Sequence, residues 1–297
     1  RSKSKINNNR KCKLTKKMKN KRKAKSMKGG MNINKNLSNS NKKVMKGNLG
    51  KARMDKPPTI KKKRVLNFFN LSNKRYQLYD LISNHNISER TFNAFKQIPR
   101  ELFTPYTKMD MAYENRPIPI GYEQTVSQPS LVCQMIDDLK LQNNSKVLEI
   151  GTGYGYNACI MSLLCDKIVT IEIMKGLSKG AKKNYLFLKN NGVLRSNMKF
   201  IHGDGFNGYP SKTKYDRIIA TCGSNNSYPP ALGEQLKDDG ILLIPIKKLE
   251  GDMVIEEKVR KFIKKNGILE EDLTYKPKDV RFVKYEEHPE IKEFKKI

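Results

Sequence analysis

The nine residues VLEIGTGYG at positions 147–155 carry the most information about the fold of this chain. A short apolar segment runs into three glycines at alternate positions, Gly151, Gly153 and Gly155, and a helical pattern follows. Glycine lets the backbone turn tightly and lets a ligand approach without a Cβ in the way. In an open parallel sheet such a ligand lies beyond the carboxyl ends of the strands. The stretch therefore predicts a strand, a ligand-binding turn and a helix, in that order.

The spacing of the glycines distinguishes between two classes of cofactor. A dinucleotide fingerprint requires its third glycine three positions after the second, and that position is occupied by Tyr156. The pattern E-x-G-x-G-x-G, which starts at Glu149, instead resembles motif I of the Rossmann-like class I methyltransferases. The resemblance implies S-adenosylmethionine as the cofactor. An acid is compatible with the sulfonium and ammonium groups of that molecule, whereas it would be unfavourable beside a pyrophosphate.

Strands and helices alternate on the carboxyl side of this motif. Strands are predicted at 146–150, 167–171, 199–202, 215–221 and 241–246, and helices at 157–164, 177–189 and 230–236. Further helices are predicted upstream at 76–83, 89–97 and 128–139, with Ser88 as the N-cap of the second. After Pro245, strands at 253–263 and 279–285 follow without helices, around a turn at Asn266-Gly267. This order predicts an α/β fold, a doubly wound and mostly parallel sheet with antiparallel C-terminal strands.

Two acids follow successive predicted strands. Glu172 stands at the end of the second strand, where a carboxylate can accept hydrogen bonds from ribose hydroxyls. Gly203-Asp204-Gly205 follows the third strand, and the methyltransferase resemblance implies that this loop contacts adenine. For Asp204 a role in capping its own loop is an alternative. Together with the glycines, these positions favour a methyltransferase over an ordinary set of strand–helix turns.

A second motif, PIPIGYEQTVSQP at positions 117–129, precedes the sheet. Taken alone, it is a loop braced by proline and glycine, in which Ser127 could be an N-cap and Pro129 the first turn of a helix. The stretch resembles the P-I-G-x-x-Q-T-I-S-x-P loop of the protein-L-isoaspartate (D-aspartate) O-methyltransferase family. The segment IPRELF at 98–103 and the regions 220–232 and 231–246 are also similar to that family. The resemblance runs from about residue 78 to residue 283.

The resemblance implies an activity and a set of site residues. The activity is repair: methyl transfer from S-adenosylmethionine to the free α-carboxylate of L-isoaspartyl residues in damaged proteins and peptides. Ser127 falls on the active-site serine, with Thr125 in support, and the substrate-binding positions are Ser127, Arg281 and Val283. The implied cofactor-binding residues are Gln124, Val126, Glu149, Gly151, Thr152, Gly153, Tyr154, Gly155, Glu172, Ile173, Asp204 and Gly205.

The chain departs from the family pattern at three places. Lys284 stands where many members have proline, directly after a segment that the resemblance places against the substrate backbone. Residues 221–227 replace a small, alanine-rich turn, and residues 238–240 replace a Pro-Gly-Gly turn. The first two departures bear on peptide binding.

Most of the net charge of +31 lies in residues 1–70, where Asp55 is the only acid. This Lys/Asn-rich extension has too few apolar residues to offset the entropy of ordering, so disorder is predicted for 1–70 and a methyltransferase domain for 71–297. The extension could tether nucleic acid or an acidic partner through weak, non-specific contacts, or it could have no specific task. Aromatic residues for base stacking are almost absent from it.

The remaining composition limits the other functional classes. Five cysteines without a paired spacing and three scattered histidines indicate neither a disulfide framework nor a metal site. The longest apolar runs are too short to span a bilayer. We therefore expect a cytoplasmic enzyme without a metal or a membrane contact, with a nuclear alternative through the basic run at 61–64; the resemblance implies a monomer. The competing hypotheses are a methyltransferase of the same fold with another substrate, and a nucleic-acid-binding protein.

Overall fold

The structure of the protein is a computed structural model that describes residues 60–210, 212–282 and 294–297, with side chains from residue 71 onward. The predicted disorder of residues 1–59 lies outside this range, as do Val283 and Lys284. The first helix, α1 (Ile60–Ser83), begins eleven residues before the predicted start of the domain at residue 71, so residues 60–70 are helical where disorder was predicted. The helix includes the backbone of the basic run at 61–64.

Helices and a small hairpin precede the main sheet. They are α2 (Glu89–Gln97), 3₁₀ helices at Arg100–Phe103 and Tyr106–Met111, the antiparallel strands β1 (Ile118–Gly121) and β2 (Gln124–Val126), and α3 (Pro129–Asp138). The sequence predicted α2 with these bounds, and its predicted cap is confirmed because Ser88 Oγ accepts a hydrogen bond from the Thr91 N–H.

The main sheet has ten strands in the described part of the chain. The strands of this sheet are β3 (Lys146–Ile150), β4 (Lys167–Glu172), β5 (Met198–His202), β6 (Tyr215–Ala220), β7 (Ser224–Asn225), β8 (Leu236–Glu250), β9 (Met253–Lys265), β10 (Ile268–Glu271), β11 (Lys278–Asp279) and β12 (Lys295–Lys296). The helices between them are α4 (Tyr156–Ser162), α5 (Lys175–Asn190) and α6 (Pro230–Gln235). The spatial order is β10-β9-β8-β6-β3-β4-β5-β12, with β11 beside β9 and β7 beside β8. Strands β3, β4, β5, β6 and β8 are parallel, and β9, β10, β11 and β12 pair antiparallel. The predicted doubly wound sheet with antiparallel C-terminal strands is confirmed.

Successive residues of β3 belong to two different cores. Val147 packs in the larger cluster with Phe95 and Phe103, whereas Leu148 and Ile150 pack in a second cluster on the opposite face. This follows from the alternation of side chains along a strand. The chain leaves β3 towards β4 and β5 on one side and towards β6 and β8 on the other. This reversal of strand order places a crevice at the carboxyl end of β3.

Several elements differ from the sequence predictions, and strands β7 and β12 were not predicted at all. The segment 118–126, predicted as a loop, forms the β1–β2 hairpin. Strand β10, which was not predicted, pairs with β9 across the predicted Asn266-Gly267 turn. The predicted strand at 279–285 is shorter: within the described residues it ends at Asp279. Among the described helices, none has the combination of length and apolar character that a membrane crossing requires.

Candidate functional site

The glycine turn after β3 is held in a conformation that side chains rarely adopt. Gly151, Gly153 and Gly155 have φ values of 87°, 54° and 90°. A Cβ on Gly151 would lie 2.5 Å from the Thr221 Oγ1 at the end of β6. The turn thus brings bare backbone against a neighbouring strand end, as the sequence predicted from the alternate glycines.

A cavity opens where this turn meets the ends of β4 and β6. The space between its walls is about 910 Å³, a volume that includes open solvent. Several predicted cofactor-binding residues line it: Gln124, Val126, Gly151, Thr152, Gly153, Tyr154, Glu172, Ile173 and Gly205. Thr125 and Ser127, predicted for catalysis, also line it. Glu149, Gly155 and Asp204 do not.

Glu149 lies beneath the cavity because β3 alternates its side chains. Its neighbour Ile150 lines the cavity, whereas Glu149 is fully buried on the other face. The Thr170 hydroxyl donates to Glu149 Oε2 at 2.5 Å, and it lies 2.5 Å from the hydroxyl of Thr152, which lines the cavity. The carboxyl therefore does not line the cavity and is linked to it through two hydroxyls, and its role in cofactor binding stays a prediction.

Burial raises the pKa of Glu149 to about 8, partly offset by the Thr170 hydrogen bond and reinforced by the Glu172 charge. The folded protein thus keeps this carboxyl neutral up to about pH 8, whereas the unfolded chain ionises it above about 4.5. The unfolded state gains stability as pH rises between these values. We predict that Glu149→Gln abolishes this loss of stability with rising pH. The variant's free energy of unfolding relative to wild type should increase by about 3 kcal/mol from pH 5 to pH 8.

Calorimetric unfolding at pH 5 and pH 8 checks this prediction. The matched control is Asp166→Asn, which removes the charge of an exposed acid and should give the same difference from wild type at both pH values. The quantity to compare is the change with pH in the free energy of unfolding relative to wild type, because an amide at position 149 also alters hydrogen bonding at every pH. Parallel pH profiles for wild type and Glu149→Gln would contradict the prediction.

The other two positions outside the lining have local roles. Asp204 Oδ1 accepts the N–H of Phe206 at 2.8 Å, which matches the alternative that Asp204 caps its own loop. Gly155 is the N-cap of α4, and a Cβ there would lie 3.1 Å from Ala181 Cβ of α5. Because Gly155 has no side chain, α5 can pack closely against the turn.

Glu172 is the buried acid that does face the cavity. Its Oε2 accepts the Gly153 N–H at 2.7 Å and its Oε1 accepts the Met174 N–H at 2.9 Å. Burial raises the pKa of Glu172, while these backbone donors lower it. The backbone N–H groups of Thr152 and Ile173 lower it as well. The carboxyl lines the cavity, where an acid at the end of a strand can accept hydrogen bonds from ribose hydroxyls. The residues present thus fit S-adenosylmethionine, the cofactor that the glycine motif implies.

A second groove adjoins the cavity and shares Thr125, Ser127 and Phe282 with it. Its other lining residues include His85, Pro117, Gln128, Ser130, Leu131, Gln134, Lys278, Asp279, Val280 and Arg281. Of the predicted substrate-binding residues, Ser127 and Arg281 lie here, while Val283 is beyond the described residues. A ligand in the cavity and a chain in the groove would meet at Thr125 and Ser127.

The backbone of Ser127 is anchored from below by Arg100. This guanidinium is fully buried and donates to the carbonyl oxygens of Ser127 at 2.9 Å and Arg116 at 3.1 Å. The N-cap of α3 is Gln128, which makes no side-chain capping bond. The interpretation of Ser127 as the N-cap is therefore wrong, and the residue is available to the site.

Several lining residues were not predicted from the sequence. They are Ile150, Tyr156, Asn157, Ile171, Thr221, Cys222 and Phe282. The alternation along β3 contains the signal for Ile150, and the first turn of the helix after the glycines contains that for Tyr156 and Asn157. Phe282 comes from the far C-terminal segment, so only the folded chain shows it.

Comparison with known proteins gives a consistent family match. The family model described as protein-L-isoaspartate (D-aspartate) O-methyltransferase matches residues 73–286. A protein-L-isoaspartate O-methyltransferase of Thermosipho melanesiensis is 43% identical over 211 residues, which cover 69% of this chain and 98% of that protein. One from Dictyoglomus turgidum is 44% identical over 174 residues, covering 58% of this chain and 76% of that protein.

Solved structures agree with the sequence comparisons. The chain is similar to a protein-L-isoaspartate O-methyltransferase with a TM-score of 0.60 and 30% identity, covering 71% of this chain and 65% of that one. A structure from Plasmodium falciparum assigned to the same enzyme class, in complex with S-adenosyl-L-homocysteine, gives a TM-score of 0.55 at 22% identity. It covers 73% of this chain and 97% of that one, and it supports the fold.

Proposed function

The chain belongs to the protein-L-isoaspartate (D-aspartate) O-methyltransferase family, and on that premise we propose that it repairs damaged proteins by methylating L-isoaspartyl residues. The methyl group moves from S-adenosylmethionine to the α-carboxylate of the isoaspartyl residue. The observation that supports this most directly is the position of Thr125 and Ser127 at the junction of the cofactor cavity and the groove. A methyl donor and a peptide carboxylate would meet there.

The reaction needs positioning more than it needs a base. S-adenosylmethionine supplies an electrophilic methyl group, and an α-carboxyl group with a pKa of about 3.3–3.7 is already an anion at neutral pH. Orientation of two reactants can contribute roughly 7–11 kcal/mol to lowering a barrier. His85 lines the groove with its Nδ1 3.1 Å from Gln134 Nε2, and His202 lines neither the cavity nor the groove. The proposal assigns no proton transfer to either histidine.

The chain's own residues would orient and desolvate the carboxylate. The Ser127 hydroxyl donates a hydrogen bond to it, and Thr125, two residues earlier on β2, supports that orientation. Gln124 and Val126, on the same strand, belong to the wall between cofactor and solvent. The following backbone nitrogen then attacks the methyl ester, methanol leaves and a succinimide forms without further help from the protein, as the family chemistry implies.

A pair of peptides that differ only in Asp or L-isoAsp at one position tests the function. With labelled S-adenosylmethionine, we expect methyl transfer to the isoAsp peptide and at least 100-fold less transfer to its Asp partner, because the Asp peptide presents no α-carboxylate at that residue. The label should be released by mild base, as expected of a carboxyl methyl ester. Binding of S-adenosylmethionine without transfer to either peptide would leave a methyltransferase with another substrate.

We further propose a monomeric enzyme in the cytoplasm. The four cysteines in the described part of the chain, Cys133, Cys159, Cys165 and Cys222, are free thiols, which supports a reducing compartment. A nuclear location through the basic extension is the alternative. Weak, non-specific contact of that extension with nucleic acid is also a proposal, and its support is the charge of residues 1–70 alone.

A further inference from the structure

A buried ion pair lies on the C-terminal hairpin, next to the substrate groove. Lys247 on β8 stands directly opposite Glu257 on β9. Their charged atoms are 3.9 Å apart, and their side chains are only 10% and 9% exposed. The other cross-strand pairs that these strands make, such as Lys265 with Glu270 at 59% and 54%, are more exposed. Burial of two charges needs compensation by further hydrogen bonds.

Both members of the pair bind the backbone of one residue, Phe282. Lys247 Nζ donates to the Phe282 carbonyl at 3.0 Å, and Glu257 Oε1 accepts the Phe282 N–H at 2.6 Å. The ladder between β11 and β9 ends at Asp279, and the last backbone bond beyond it runs from the Val280 N–H to the Glu257 carbonyl. Two side chains thus fix Phe282, and within the described residues no ladder extends to it.

The unusual turn at 221–227 makes room for this arrangement. A Cβ on Gly223 would lie 2.8 Å from Lys247 Cε and 3.3 Å from Glu257 Oε1. An alanine at position 223 would therefore displace the lysine stem. The glycine in this turn and the buried pair form one packing unit, bordered by Thr221 and Cys222 of the cofactor cavity.

We infer that Lys247 and Glu257 are positioning residues. They fix Phe282, and with it the neighbouring Arg281, at the boundary between the cofactor cavity and the groove. Two apolar side chains could fill the same space, but they could not satisfy both the N–H and the C=O of Phe282. The pair lines neither the cavity nor the groove. Its effect reaches the peptide through Phe282 and Arg281, which line the groove. This inference rests on the proposed function for its kinetic consequences.

The double variant Lys247→Met with Glu257→Met tests the inference in the full-length enzyme. Replacing a buried pair by apolar residues of similar volume is often tolerated, so the thermal transition should persist. We expect the KM for the isoAsp peptide to rise about fivefold or more, while kcat falls less than twofold. The matched control is Lys265→Met with Glu270→Met, which removes an exposed pair between β9 and β10 and should leave both constants within twofold of wild type.

Amide hydrogen exchange at Phe282 gives a second readout that does not depend on activity. Its N–H should be protected in wild type and in Glu257→Gln, which keeps the acceptor oxygen, and should exchange at least tenfold faster in the double variant. A folded double variant with an unchanged peptide KM would overturn the inference. So would an unprotected Phe282 N–H in wild type, and this second test holds even if the double variant fails to fold. Lack of activity of wild type on the isoAsp peptide would instead remove the proposed function.

Discussion

Glu172→Gln is expected to raise the Kd for S-adenosylmethionine at least 100-fold. The carboxylate already accepts the N–H groups of Gly153 and Met174, and the proposed site adds two ribose hydroxyls. An amide has only one acceptor oxygen, so its NH₂ group must face either a backbone N–H or the ribose. A hydrogen bond to a charged acceptor contributes about 1.5–3 kcal/mol, and about 2.7 kcal/mol corresponds to 100-fold in Kd. Titration calorimetry with the cofactor measures the effect.

The same substitution at Glu234 is the control for this prediction. Glu234 is an exposed acid of α6 outside the cavity, so Glu234→Gln should leave the Kd within twofold of wild type. Thermal unfolding shows whether Glu172→Gln has also loosened the glycine turn that it supports. A folded Glu172→Gln protein with wild-type affinity would show that the ribose is not held by this carboxylate.

Local signals in the sequence were sufficient for the elements they encode. The bounds of α2 follow from the Ser88 cap and the Pro99 stop, and those of β3 from a short apolar run that ends in glycine. The start of α1 at Ile60 was not predicted, because the predicted helix began only at residue 76, close to Leu78 and Ile82, which are buried in the larger core.

The β1–β2 hairpin was missed because its residues argue against a strand. Pro119 lies within β1, and proline is confined to strands that need no ladder bond at that position. The two turn residues, Tyr122 and Glu123, both have positive φ values, 54° and 58°, where asparagine and glycine are the usual signal. Packing of Ile118, Ile120 and Val126 into the larger core outweighs both preferences.

In the candidate site, too, the residues encoded by local sequence signals were predicted, and those brought in by long-range packing were not. The glycine turn and the acid after β4 are encoded next to the strands that position them, and both line the cavity. Glu149 was placed beside the cofactor from its motif alone, although alternation along β3 directs Ile150, not Glu149, towards the cavity. Thr221 and Phe282 reach the site only because β6 lies beside β3 and the C-terminal segment folds back over β9. Such long-range neighbours leave no local pattern in a single sequence.

Ser127→Ala is expected to lower kcat for the isoAsp peptide at least tenfold, and up to about 100-fold, while the Kd for S-adenosylmethionine stays within twofold. The hydroxyl is proposed to donate to the substrate carboxylate, and loss of a hydrogen bond to a charged group costs about 1.5–3 kcal/mol. The backbone of Ser127 should remain in place because Arg100 holds its carbonyl oxygen. Steady-state kinetics with the isoAsp peptide and calorimetry with the cofactor give the two quantities.

Two further variants separate the hydroxyl's role from a change in local structure. Ser196→Ala removes a hydroxyl from an exposed loop that lines neither the cavity nor the groove. This variant should leave kcat unchanged. Thr125→Val keeps the shape of a side chain that supports the proposed geometry and should lower kcat by a smaller factor than Ser127→Ala. Ser127→Ala could instead keep a kcat near the wild-type value and still prefer the isoAsp peptide over the Asp peptide. That result would mean that backbone groups orient the carboxylate and that Ser127 only borders the site.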